Sequence, residues 1–335
     1  MHDTLPSPAE VTAGPVPDVG PHRETVSAVL AGRDPRLLVI AGPCSVHDPE
    51  AALEYAGLLA GAAARYADDL VVVLRAYLEK PRSVTGWTGF LPDPGLDGKG
   101  DLATGVRLGR AFLLDAVATG LPLAYEFVDP MLAPYVADTV SWGAIGARTV
   151  ASQPHRHLAS WLPMPVGMKN CVSGRLGPAV DAIRAAGAGQ VFPGVGPDGR
   201  VKVVRSMGNP DAHLVLRGGP VPNYDAASVA GAVDLLTAAG LPGRVVVDAS
   251  HGNSGKDHHR QPGVVAEVAR QVAAGGAGVV GVMGVMVESY LADGRQGEEV
   301  VPADRTLSRT DACLGWERTV PLLETLALAV RHRRP

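Results

Sequence analysis

Cysteine is scarce in this chain: Cys44, Cys171 and Cys313 are the only three among 335 residues. Three widely spaced thiols exclude a disulfide scaffold and suit a reducing compartment, so a cytoplasmic location is expected. Lysine is nearly as scarce, limited to Lys80, Lys99, Lys169, Lys202 and Lys256. Where a compact ammonium survives among so many guanidinium groups, its role is worth locating. Basic charge is not in excess either. The formal net charge is -4, which gives nucleic acid no general attraction. No apolar run is long and clean enough to cross a bilayer; the stretch from Gly275 to Met286 is short and glycine-rich. The segment MHDTLPSPAEVTAGPVPDVGPHRETV has no apolar centre and does not read as a secretory signal. No GxGxxG follows the first apolar run, no P-loop is present, and no short solenoid repeat is visible.

What is present is a chain that is 46% hydrophobic, enough for one large core. Residues 1 to about 21 are rich in proline and polar side chains and read as an arm. The division expected is an N-terminal extension over 1–30 and a barrel over 31–335. From about Arg36 a pattern repeats: a short apolar run, a polar or glycine-rich loop, then a helical segment. The runs are Leu37 to Ala41, Leu70 to Leu74, Leu121 to Phe127, Ala144 to Ala147, Met164 to Met168, His213 to Leu216, Val245 to Val247 and Val279 to Val287. Asp48 before Pro49 is a helix start, with a capping acceptor ahead of proline at the first helical position. Pro197-Asp198-Gly199 between two β-prone runs reads as a hairpin inserted after the fifth strand. Eight buried-type strands alternating with helices predict an α/β fold, a (β/α)8 barrel, in preference to a doubly wound open sheet.

Barrel active sites lie at the C-terminal ends of the strands. LRAYLEKPRSVTGWTG, the stretch leaving the second strand, carries Arg75, Lys80 and Arg82, with Pro81 to stiffen the turn. Further ionisable residues fall at the other strand ends: Glu126, Arg148, Lys169, Arg217, Asp248, His251 and Glu288, with Asp311 beyond. Five cations (Arg75, Lys80, Arg148, Lys169 and Arg217) converging on one mouth would call for anions, and a substrate bearing carboxylate and phosphate would supply them. A second constellation, Cys44, His251, Glu288 and Asp311, offers a thiol, an imidazole and two carboxylates, the donors of a mixed divalent transition-metal site. Taken singly, Cys44 reads equally as a small buried hydrophobe and His251 as a core histidine.

The segments AGPCSVHDP, LRAYLEKPR, GWTG, SWGAIGART, PVGMKN, HLVLRGG, DASHGNS, MVESYL and TDACLGWE resemble, in order, the signatures of the class I DAHP synthases. These are the microbial 3-deoxy-D-arabino-heptulosonate-7-phosphate synthases that respond to aromatic amino acids. The resemblance runs from about residue 37 to the end. It implies a (β/α)8 barrel with an N-terminal extension and an added hairpin. It also implies condensation of phosphoenolpyruvate with erythrose 4-phosphate, and a homodimer or homotetramer. The implied metal ligands are Cys44, His251, Glu288 and Asp311. The implied ion is divalent, Mn2+ foremost, with Co2+, Fe2+ and Zn2+ as alternatives. Phosphoenolpyruvate would meet Arg75, Lys80, Arg148, Lys169 and Arg217, with Glu126 and the backbone of Gly146 and Ala147 nearby. The tetrose phosphate would meet Arg82 and Ser83, and Asp311 would face the substrates. Lys80, Glu126 and His251 would serve the chemistry.

Several positions depart from the family pattern. Thr88 stands where lysine is usual, and Val150, Ala151 and Cys171 replace more polar residues, all expected around the substrate mouth. VGVMGVMVES looks longer than its counterpart and is expected to alter the approach of Glu288. Ala133, Pro163 and Gly194 differ from the phenylalanine-regulated pattern, which predicts weak or absent inhibition by phenylalanine. Two other functions stay open on these grounds: the same chemistry on another phosphorylated aldehyde, and a silent partner subunit.

Overall fold

Runs of valine and leucine that stop at a glycine or a charged side chain form the strands of the computed structural model, which describes residues 4–275, 281–300 and 303–333. In chain order the strands are β1 (Leu37–Gly42), β2 (Leu70–Arg75), β3 (Leu123–Glu126), β4 (Trp142–Ile145), β5 (Val166–Lys169), β6 (Val191–Val195), β7 (Val201–Arg205), β8 (His213–Leu216), β9 (Arg244–Asp248), β10 (Gly281–Tyr290) and β11 (Leu314–Gly315). The helices are α1 (Pro8–Val11), α2 (Gly20–Leu30), α3 (Pro49–Arg65), α4 (Leu102–Ala118), α5 (Ala133–Val136), α6 (Gln153–Trp161), α7 (Gly177–Ala186), α8 (Ala226–Ala238), α9 (Gln261–Ala274) and α10 (Trp316–Arg333). Parallel pairing runs β1-β2-β3-β4-β5-β8-β9-β10, and β10 returns to β1. This is the closed (β/α)8 barrel expected. The hairpin β6–β7 stands apart as its own antiparallel pair. Val279 and Val280, expected to open the eighth strand, lie outside the described residues, as do Met1, His2 and Asp3.

Capping residues start the helices where the chain turns back. Asp48 accepts from Ala51 N at 2.8 Å with Pro49 behind it, and Asp101 and Asp225 accept likewise from Thr104 and Ser228. The apolar faces of these helices and one face of each strand make the outer core. The other strand face fills the barrel with Leu38, Ile40, Val71, Val73, Trp142, Val215, Val246 and Met286.

Three features differ from the expectations. The stretch read as an arm contains helix α1, the extension over 1–30 ends in helix α2, and Val26, Val29 and Leu30 of α2 join the interior cluster of the barrel. β4 begins at Trp142, two residues ahead of the apolar run assigned to it, because the Trp142 indole is an interior side chain that donates to His213 Nε2 at 3.1 Å. Arg148 therefore sits in the loop past the strand rather than at its end. The extra length of VGVMGVMVES is taken up by a register shift in β10 between Val282 and Gly284, so Met286 still pairs beside Asp248 and Glu288 beside Gly42.

Candidate active site

The strand ends open into a cavity of about 300 Å3. Its floor comes from β1 and β2. Gly42 closes β1, and a Cβ there would meet Arg75 O at 2.6 Å, so only glycine admits Arg75 so close. Arg75 is buried, with its guanidinium 3.8 Å from the centroid of the Tyr77 ring. It donates to Pro43 O at 3.0 Å, to Cys44 O at 3.1 Å and to Glu288 Oε1 at 3.0 Å. Burial disfavours its charge, but Tyr77, Glu288 and Cys44 more than compensate and hold its pKa up.

Donor atoms of Cys44, Glu288 and Asp311 all lie within 4.8 Å of one another. His251 approaches from the Glu288 side, with Nε2 3.7 Å from Glu288 Oε1. Its Nδ1 lies 2.9 Å from Asp248 Oδ2 and 2.7 Å from Ser250 Oγ, which leaves Nε2 to face the cluster. A carboxylate behind the imidazole is the usual outer support of a metal-bound histidine. The His251 backbone is left-handed, φ 56°, an uncommon conformation for a side chain other than glycine. Lys80 Nζ is among these donors, 2.8 Å from Cys44 Sγ and 3.0 Å from Asp311 Oδ2. A cation thus already stands against two of the donors. Burial and Glu288 push the Cys44 thiol up to about 11, against the pull of Lys80. A thiol and two carboxylates drawn together, with the His251 imidazole outside that close group but 3.7 Å from one of the carboxylates, fit a borderline divalent ion. Cys44, His251, Glu288 and Asp311 are the residues that could hold it.

On the opposite wall Lys169 donates to Glu126 Oε2 at 3.0 Å and lies 3.8 Å from Asp248 Oδ2. Burial opposes the charge of Glu126, yet Lys169 and Arg75 hold its pKa down to about 2. Gly146 makes room for it, since a Cβ there would come within 2.5 Å of Glu126 Oε1. Ala147 lines the cavity beside it. Arg148 Nε donates to Ser83 Oγ at 2.8 Å, and Arg217 Nη1 donates to Gly218 O at 3.0 Å. Among the described residues neither arginine has a carboxylate partner. Burial lowers the pKa of Arg217, and Asp248 only partly offsets it. Arg82 pairs with Glu298 at 2.8 Å on the rim.

The structure therefore brings the expected residues together but corrects their charge balance. Three of the five cations expected to await a ligand are already paired: Arg75 with Glu288, Lys80 with Asp311, and Lys169 with Glu126. The uncompensated positive charge is carried by Arg148 and Arg217, with Lys256 exposed at the rim. The departures Thr88, Val150, Ala151 and Cys171 do not line the cavity. Val150 is buried and Cys171 packs on the outer core. Five lining residues were missed: Tyr77, Glu79, Val84, Thr85 and Lys256. The scarcity of lysine was the available signal for Lys256. Nothing short of the fold signals that Tyr77 lies under two cations, with Lys169 Nζ 5.8 Å from its ring centroid.

Residues 16–324 match the model of the DAHP synthetase I family. The chain belongs to that family. It is 47% identical over 317 residues to the Trp-sensitive phospho-2-dehydro-3-deoxyheptonate aldolase of Enterobacter agglomerans, covering 93% of this chain and 89% of that one. It is 46% identical over 306 residues to the Tyr-sensitive enzyme of Escherichia coli (strain K12), covering 91% and 85%. Identity to the Phe-sensitive enzyme of the same strain is 47% over 313 residues, covering 93% and 89%. Relatives of all three sensitivities are equally similar, so identity selects no effector. The solved phospho-2-dehydro-3-deoxyheptonate aldolase of Francisella tularensis SCHU S4 superposes with a TM-score of 0.96 at 38% identity, covering 100% of this chain and 99% of that one. As a member of the DAHP synthetase I family the protein is a transferase of the shikimate pathway, and the family is generally metal-dependent. No helix among the described residues is long and apolar enough to cross a membrane.

Proposed function

We propose that this cavity condenses phosphoenolpyruvate with erythrose 4-phosphate and that its named residues divide the work as follows. Arg148 and Arg217 bind the phosphate and carboxylate of phosphoenolpyruvate, with Lys169 and Arg75 beneath. Arg82 and Ser83 bind the phosphate of the tetrose. Two anionic substrates bring the charge that the unpaired arginines lack, and that unpaired pair is the observation that carries the reading. When bound by Cys44, His251, Glu288 and Asp311, a divalent ion supplies Lewis acidity toward the aldehyde oxygen. Membership of the family, rather than the donor set, makes Mn2+ the first choice, with Co2+, Fe2+ and Zn2+ as alternatives.

The enol carbon of phosphoenolpyruvate forms a bond to the aldehyde carbon, and the aldehyde oxygen gains a proton. Lys80 supplies that proton from an ammonium paired with Asp311 at 3.0 Å. Water then adds to the cationic neighbouring carbon and releases a proton that restores the Lys80 ammonium, and the carbon–oxygen bond to phosphate breaks as the new hydroxyl becomes the ketone, its proton leaving with the phosphate. Glu126, held ionised, accepts a hydrogen bond from that water and orients it. Asp248 and Ser250 keep His251 turned toward the ligand cluster.

Because the four departures from the family pattern do not line the cavity, erythrose 4-phosphate is preferred to another aldehyde. Phosphate release with erythrose 4-phosphate, ribose 5-phosphate and arabinose 5-phosphate tests this; a faster rate with either pentose overturns it. Activity is expected to persist at micromolar phenylalanine. The protein acts in the cytoplasm, in keeping with three free cysteines. Residues 1–30 form an extension to a barrel over 31–335. The chain assembles as a homodimer or homotetramer through the N-terminal arm and the hairpin, where Val191, Val201 and Val203 are exposed beside Met207.

A further inference from the structure

The loop that leaves β9 carries His251 at its start and Asp257-His258-His259 at its end. We propose that Asp257, His258 and His259, joined by Asp293, form a second divalent transition-metal site, built from nitrogen and oxygen donors alone. One donor atom from each of Asp257, His258 and His259 lies within 4.8 Å of the others. Asp293, from the segment after β10, brings Oδ2 to 3.1 Å from His258 Nε2 and 3.7 Å from His259 Nδ1. Its Oδ1 accepts from Gly315 N at 3.0 Å, so the carboxylate is held with Oδ2 turned to both imidazoles. Tetrahedral coordination at zinc-like bond lengths separates donors by roughly 3.3 Å, and the two spacings from Asp293 Oδ2 to the imidazoles, 3.1 Å and 3.7 Å, lie on either side of that value.

A cation already marks the position. Arg318 of α10 donates to His259 Nδ1 and lies 3.2 Å from Asp293 Oδ2. An acceptor at His259 Nδ1 means a lone pair directed into the cluster. Arg318 is 39% exposed and free to swing into solvent when an ion takes its place. An Arg318–Asp293 surface pair by itself would need no histidine. Here two imidazoles, with centroids 3.9 Å apart, share one carboxylate oxygen. Imidazole and carboxylate suit Zn2+, Ni2+, Co2+ and Cu2+. An ion here would tie the loop that carries His251 to the segment that carries Asp311, because Gly294, next to Asp293, bridges Cys313.

Tag-free full-length protein equilibrated with Co2+, with bound metal counted and its absorption spectrum recorded, tests the proposal. Wild type should bind two equivalents, and His258→Gln/His259→Gln should bind one. The lost equivalent should lack a thiolate-to-cobalt charge-transfer band, and phosphate release should persist. Arg318→Gln should tighten the second equivalent by removing the competing cation. Equal stoichiometry in wild type and the histidine variant, a lost equivalent that carries the thiolate band, or weaker binding in Arg318→Gln would overturn the site. Failure of the Cys44 assignment would show separately, as absence of the thiolate band from every equivalent.

Discussion

The arginines of the mouth fall into two physical kinds, and substitution should separate them. Among the described residues Arg148 and Arg217 have no carboxylate to abandon. Changing either to Ala should leave the urea midpoint nearly unchanged. It should raise KM for phosphoenolpyruvate about 10- to 100-fold, the worth of a charged hydrogen bond. Arg75→Met instead strands Glu288 in a buried site and should cost about 3–5 kcal/mol of stability, read in the same denaturation experiment. Glu79 offers a pH test. Burial lifts its pKa from an ordinary 4.5 to about 8, even though Tyr125 and the Asp129 N–H donate to it. Between those values the folded chain holds a proton that the unfolded chain has released. The stability this group contributes is therefore full below about pH 4.5 and is lost as pH rises toward 8. Glu79→Gln should flatten that decline, measured as unfolding midpoints across the window; an unchanged decline would remove Glu79 as its cause. Much of this residue-level chemistry was legible, because barrel sites gather at strand ends and Arg75, Glu126, Lys169 and Glu288 stand there. The pairings were not. Which carboxylate meets which cation depends on distances across the barrel, and neither spacing nor composition encodes them.

At the scale of elements, the strands announced themselves through valine-rich runs and the hairpin through Asp198-Gly199. Their edges were less legible where an aromatic or a bulge carried the pattern, as at Trp142 and at Met283. Helix α2 falls in the stretch assigned to the N-terminal extension over 1–30, whose first 21 residues are rich in proline. Its packing on the barrel interior emerges only when Val26, Val29 and Leu30 meet the interior strand faces. Leu30→Ala should therefore destabilise the fold by about 2–5 kcal/mol in urea. An arm that merely lay on the surface would lose far less. The hairpin gives the opposite test. Val201 and Val203 are 72% and 70% exposed. Replacing both with Lys should leave the thermal midpoint of the monomer unit intact and shift sedimentation toward smaller species. Unchanged sedimentation would move the proposed subunit contact elsewhere.

For the whole molecule, the closed ring of parallel strands carries out one physical task. It draws a thiol, an imidazole, four buried carboxylates and several fixed cations from distant parts of the chain into one opening, where Lys80 lies against Cys44 and Asp311. The measurement that tests this most directly is phosphate release from phosphoenolpyruvate and erythrose 4-phosphate by metal-stripped protein, with Mn2+ added back and then removed by chelator. The expected result is negligible turnover without the ion, recovery on addition and loss on chelation, with no recovery in Cys44→Ala. Full turnover by the stripped protein, or recovery undiminished in Cys44→Ala, would contradict the account.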